Sequence, residues 1–125
     1  MDTLEQFYSE VRERFPDISA MADREYIKYW GEANPEDAYS WFQSLANALN
    51  SEMKRQVNYS IHEQLFVFIS NALADCSKEV FNCIDVSFVE NLFWQVSEAK
   101  AGPYWHSMPD SLKELYIGFH SKLPL

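Results

Sequence analysis

Several signatures that usually announce a chemistry are thin or missing from this sequence, and each gap removes a class of function. Glycine is scarce, with three residues in 125, too few for a glycine-rich loop that cradles phosphate. No GxSxG nucleophile turn is present either. The two cysteines, Cys76 and Cys83, cannot make a disulfide framework. On one shared helix their Cα atoms would lie about 10 Å apart, beyond bridging distance. Buried free thiols in a reducing cytoplasm are the expectation.

Cations are also in short supply. Ten Lys and Arg face nineteen Asp and Glu, a formal net charge of -9 at pH 7, which disfavours nucleic acid as a partner because that affinity comes largely from neutralising phosphates. No run approaches the ~18 apolar residues of a membrane span, the longest block being LFVFI at residues 65–69. The first residues, MDTLEQFYSE, lack the basic start and apolar stretch of a secretory signal. The reading is a cytoplasmic protein with no membrane role.

Metal and catalytic patterns fail in detail. His62-Glu63 opens like HExxH, but Phe66 stands where the second imidazole belongs. His62, His106 and His120 are far apart, and the cysteines lack CxxC spacing. Glu36-Asp37 could do acid-base work only in a cleft, and a structural role at a helix start suffices for them. No catalytic residue, metal or cofactor is expected, and the protein is read as a non-enzyme. A site assembled only by folding, around His62, Glu63, Glu90 or His106, is the alternative from enzyme chemistry.

What the chain does have is apolar and aromatic residues, 47% and 16% of the whole, enough for one packed core spanning residues 1–125. Their spacing is helical throughout. Thr3 and Gln6 form a capping box ahead of Leu4, Phe7, Tyr8, Val11 and Phe15, a run closed by Pro16. Residues 17–31 predict a short turn and a second helix stopped by Gly31. Asn34-Pro35 starts the longest helix, with Trp41, Phe42, Leu45, Leu49 and Met53 on one stripe and Lys54 and Arg55 in its last turn.

Ser60 and Glu63 read as a second capping box for a helix through LFVFI to Cys76. Residues 77–98 read as two helices meeting near Asp85, with one continuous helix carrying Asp85-Val86-Ser87 as the alternative, AGPYWHSMP as a loop, and Ser107 to Asp110 as the start of a final helix. With no hairpin or βαβ unit visible, the fold class is all-α: a compact bundle or short stack of about six to seven helices without a sheet.

Two aromatic clusters are candidates for binding. The first is Tyr26, Tyr29, Trp30, Glu32, Glu36, Asp37, Tyr39 and Trp41, where large amphipathic rings adjoin acids that would pair with Lys or Arg on a partner. Residues 1–37 hold ten acids and four bases, so the field is concentrated there and would speed encounter with a basic protein. The second is Tyr104, Trp105 and His106, with Asn91 and Trp94 before them. The bland reading of both is rings pinned into the core and acids solvated on the surface.

The stretch DVSFVENL at Asp85–Leu92, leading on to PYWHSMPDSLKELYIGF, resembles small all-helical bacterial proteins of unassigned role, some of which are similar to immunity proteins of toxin systems. The likeness covers mainly residues 65–125. It implies a cytoplasmic protein that binds and blocks a cognate toxin, often a basic nuclease, and it transfers no functional residue. The expected function is thus a protein-binding module, most sharply an immunity protein. A helical adaptor that grips a peptide or subunit in an apolar groove is the alternative, and the oligomeric state is left open.

Overall fold

A computed structural model describes residues 3–125; Asp2, one of the ten acids counted above, lies outside them. The described residues hold seven α-helices and no strand: α1 (Leu4–Arg14), α2 (Pro16–Trp30), α3 (Ala38–Lys54), α4 (Glu63–Ala74), α5 (Lys78–Asn82), α6 (Glu98–Ser107) and α7 (Asp110–His120). The all-α class and the helix number agree with the sequence reading.

The start of α1 follows its capping box. The Thr3 hydroxyl accepts the Gln6 N–H at 3.1 Å, and the Gln6 side chain accepts the Thr3 N–H at 3.3 Å. Helix α2 begins without the turn expected after Pro16. Pro16 itself is the first helical residue, where a missing N–H costs nothing, so Phe15 alone separates α1 from α2. Gly31 ends α2 at φ +84°, a conformation L side chains rarely adopt. The Asn34 side chain then accepts the Glu36 N–H at 2.9 Å, and Pro35–Asp37 forms a single 3-10 turn that feeds α3.

Helix α3 is the centre of the molecule. Trp41, Phe42, Leu45, Ala46, Ala48, Leu49 and Met53 are all buried, so the apolar stripe of the helix faces the core, while Ser40, Gln43, Asn47 and Ser51 lie half-buried along the other side. It packs against α1, α2, α6 and the winding that follows α5. Each large side chain so buried contributes about 1.5–3 kcal/mol.

Two charged networks brace this core. Asp23 accepts from the Arg12 guanidinium and, at 2.7 Å, from the Trp41 indole N–H, while Arg12 lies over the rings of Tyr8 and Trp41. Buried Glu52 accepts from Arg55 at 2.8 Å and bonds the buried His62 ring at 3.1 Å. A buried carboxylate is tolerable only when its oxygens are satisfied in this way.

Three expectations are corrected. Ser60 does not cap α4: Asn58 caps a 3-10 turn at Tyr59–Ile61, accepting the Ser60 N–H at 2.9 Å, and α4 starts after His62 without a side-chain cap. No break occurs at Asp85, because the backbone stays helical from Lys78 to Asn91 through a wider π-type winding at Cys83–Phe88. Finally, AGPYWHSMP is largely helix α6 and not a loop. Its Ala101, Tyr104, Trp105 and Met108 are buried at helical spacing, and Pro103 sits on the exposed side.

Candidate functional site

The break that the sequence reading placed at Asp85 falls instead at residues 92–95, and a buried asparagine holds it. Asn50, on the central helix α3, donates its amide N–H to the Asn91 carbonyl at 2.8 Å and accepts the Phe93 N–H at 2.7 Å. At the second of these bonds Phe93 adopts φ +67°, a left-handed conformation that is an outlier for a bulky residue, and two residues on Gln95 has φ +55°. Such geometry persists only where surrounding contacts impose it. The twist turns the Phe93 ring inward, against Trp105 and Tyr116, and leaves Trp94 61% exposed.

Trp94 meets the end of α2. Tyr29 and Trp30, 70% and 46% exposed, line with it a surface pocket of about 390 Å³ whose remaining walls are Gln43, Asn47 and Asn91. Trp30 is braced from beneath: its ring centroid is 5.5 Å from buried Tyr26 and 5.5 Å from Tyr29. The Tyr26 hydroxyl donates to Asp37 at 2.7 Å, tying α2 to the turn before α3. Burial, then this bond to Asp37, pushes the Tyr26 hydroxyl up to about 12.

The two expected clusters therefore meet in part. Tyr29 and Trp30 from the first join Asn91 and Trp94 from the second, while Glu32 and Glu36 are exposed on the turn just beyond Trp30. Others do not join. Tyr26 and Trp41 are core residues, and Asp37 is engaged by Tyr26. Tyr39 leans toward α5, its hydroxyl donating to the Glu79 carbonyl at 3.4 Å. Trp105 is buried between Phe93 and Tyr116 with the Lys113 ammonium over its ring. Exposed His106 faces a different cleft, between the Gln56–Tyr59 turn and α6. Tyr26 and Trp105 are thus corrected from contact residues to supports.

The acidic field is likewise divided. Glu10, Asp23 and Glu25 are paired with Arg14, Arg12 and Lys28. Glu5 and Glu13 lie with Glu10 along α1 and Glu32 and Glu36 on the turn after α2, so among the described residues the charge of the first third is split between two places.

Asn50, Gln43 and Asn47 are the residues sequence reasoning missed. The available signal was Asn50 itself, a polar side chain set in the apolar stripe between Leu49 and Met53. Groups with chemical potential elsewhere are dispersed. His62 is bound to Glu52, and His120 bonds the Glu90 carbonyl at 3.1 Å. Burial and the neighbouring Asp85 raise the Glu90 carboxyl above its ordinary range. Cys83 is fully buried, its thiol pushed up to about 12 by desolvation, whereas Cys76 is only partly buried between α4 and α5, so the two share no helix. No three His, Cys, Asp or Glu side chains form a metal-holding group among the described residues, and no helix there is long and apolar enough to cross a membrane.

No curated protein and no solved structure matches the chain. Residues 8–122, which take in every wall of the aromatic pocket, match the model of the family described as domain of unknown function (DUF7674), and the chain belongs to that family.

Proposed function

We propose that this chain is a protein-binding module that uses the face formed by Tyr29, Trp30 and Trp94, with no catalytic role and no cofactor. The observation that carries the reading is the exposure of three large rings around one pocket, two of them held by buried residues: Tyr26 under Trp30, and Asn50 under the strained turn that presents Trp94. Tryptophan and tyrosine held rigid at a surface lose little freedom on docking and dominate binding energy where they are buried by a partner. Strained backbone held in place by its surroundings clusters at binding sites.

The partner is a basic protein. The net charge of -9 and the exposed Glu32 and Glu36 beside Trp30 favour encounter with a cationic surface and select against an anionic one such as nucleic acid. The sharpest form of the proposal is a cytoplasmic immunity protein that occludes a basic toxin, possessing carboxylates where a nuclease site expects phosphate; the resemblance of residues 65–125 supports it. A second reading has one observation in its favour: the pocket walls are rings and amides, with Glu32 and Glu36 outside them, which suits an adaptor gripping an uncharged peptide segment.

Association with the products of neighbouring genes, measured at low and high salt, tests both. A basic partner should bind more weakly as salt rises, and Trp94→Ala should weaken it by about 30-fold, the loss of one anchor worth about 2 kcal/mol. Salt-independent binding that still needs Trp94 selects the adaptor. Binding indifferent to both Trp30→Ala and Trp94→Ala would remove this face from the account.

A further inference from the structure

A second cleft, of about 590 Å³, lies between the Gln56–Tyr59 turn and helix α6. Its size is that of a small-molecule site, and its chemistry departs from the rest of the molecule. None of the described residues lining it is acidic, and its one formal charge is Lys100, in a chain of net charge -9. Lys100 is half-buried, and no carboxylate lies within ion-pairing distance of it among the described residues. Glu52, whose charge is felt at Tyr104, is already held by Arg55 and His62.

The cleft also takes in the start of a helix. Ser97 begins α6 without a side-chain cap, so the positive end of that helix opens beside Lys100. Tyr59, 7% exposed, lines the same space, while its hydroxyl is sealed from solvent without a hydrogen-bond partner. The ring of Tyr59 stands edge-on to Tyr104, centroids 5.4 Å apart. Tyr104 is fixed in turn by its bond to the Val57 carbonyl at 2.8 Å. An apolar, ring-lined floor below a lone cation and an open helix start suits a flat molecule with one anionic group.

We propose that this cleft binds a small aromatic carboxylate, the anion at Lys100 and the start of α6, the ring against Tyr59 and Tyr104. This site is separate from the Tyr29, Trp30 and Trp94 face and does not depend on the protein-binding reading. Benzoate is the probe, with benzamide as its uncharged counterpart, each titrated into the isotope-labelled full chain and followed by amide NMR.

Benzoate should saturate with shifts at residues 56–59 and 97–107, benzamide should bind about 10-fold more weakly, and Lys100→Gln should weaken benzoate by a similar factor. The proposal is overturned by any of three results: no shifts at those residues with about 10 mM benzoate, shifts centred on Trp30 and Trp94 instead, or equal binding of benzamide and of benzoate to the Lys100→Gln protein.

Discussion

Single side chains decide which rings of this protein face water. Asn50 is the clearest case, because its one amide satisfies both a carbonyl and an N–H on a turn that the backbone would not otherwise adopt. Asn50→Ala strands a buried N–H and a part-buried carbonyl and should cost about 2–4 kcal/mol in a urea unfolding experiment. It should also weaken partner binding as Trp94 loses its fixed pose. Asn47→Ala, on the same helix but half-buried and without a side-chain hydrogen bond, should change stability by no more than about 0.5 kcal/mol. At this scale the sequence was legible where a residue has one plausible role, as with Thr3 and Gln6. It was not legible for Trp30 against Trp41, since both sit at apolar positions of helices. Only packing against Asp23 and Tyr8 makes Trp41 core, while the end of α2 leaves Trp30 half outside.

Among the elements, terminators carry the geometry. The end of α3 is a full Schellman motif: the Gln56 N–H bonds the Met53 carbonyl and the Val57 N–H bonds the Glu52 carbonyl, each at 3.0 Å. Gln56 holds the left-handed position at φ +60°, where a side chain is strained. Gln56→Gly should therefore stabilise the protein by about 0.5–1 kcal/mol, the relief of strain exceeding glycine's extra chain entropy, and thermal unfolding would register it as a rise of a few degrees. The same scale explains the errors of the sequence reading. In α6 the apolar period Ala101, Tyr104, Trp105 and Met108 was present, but Gly102-Pro103 argued for a loop. The helix survives because Pro103 faces solvent and the buried side pulls the segment together. Ser60 and Glu63 have the spacing of a capping box, yet Asn58 reaches the Ser60 N–H first, and local competition of that kind leaves no trace in spacing. Asp85 misled likewise, since an N-capping residue is equally at home on the outer side of a widened turn.

Taken as a whole, the molecule hides more ionisable protons than charges. Tyr26, Tyr59 and Tyr104 are each raised to about 12, first of all by burial, and buried Cys83 likewise to about 12. In the unfolded chain these groups ionise at their ordinary values of 10.0 for tyrosine and 9.0 for the thiol. Between the two sets of values the native state retains protons that the unfolded state releases, so stability must fall as pH rises. It should be complete below pH 9, decline once unfolded Cys83 ionises, and drop more steeply from pH 10 to about 12. Urea midpoints taken across that range would show it, and Tyr59→Phe should flatten the steep part. A midpoint that holds steady through pH 11 would contradict the burial of these groups.

Four tryptophans divide evenly between two environments: Trp41 and Trp105 are dry, Trp30 and Trp94 wet. The protein is consequently its own optical gauge. A collisional quencher such as acrylamide reaches only the wet pair in the native state, so docking over that face would shelter emission, and denaturation would surrender the rest. One unlabelled fluorescence titration can then tell occupancy from unfolding, which most surface assays confuse.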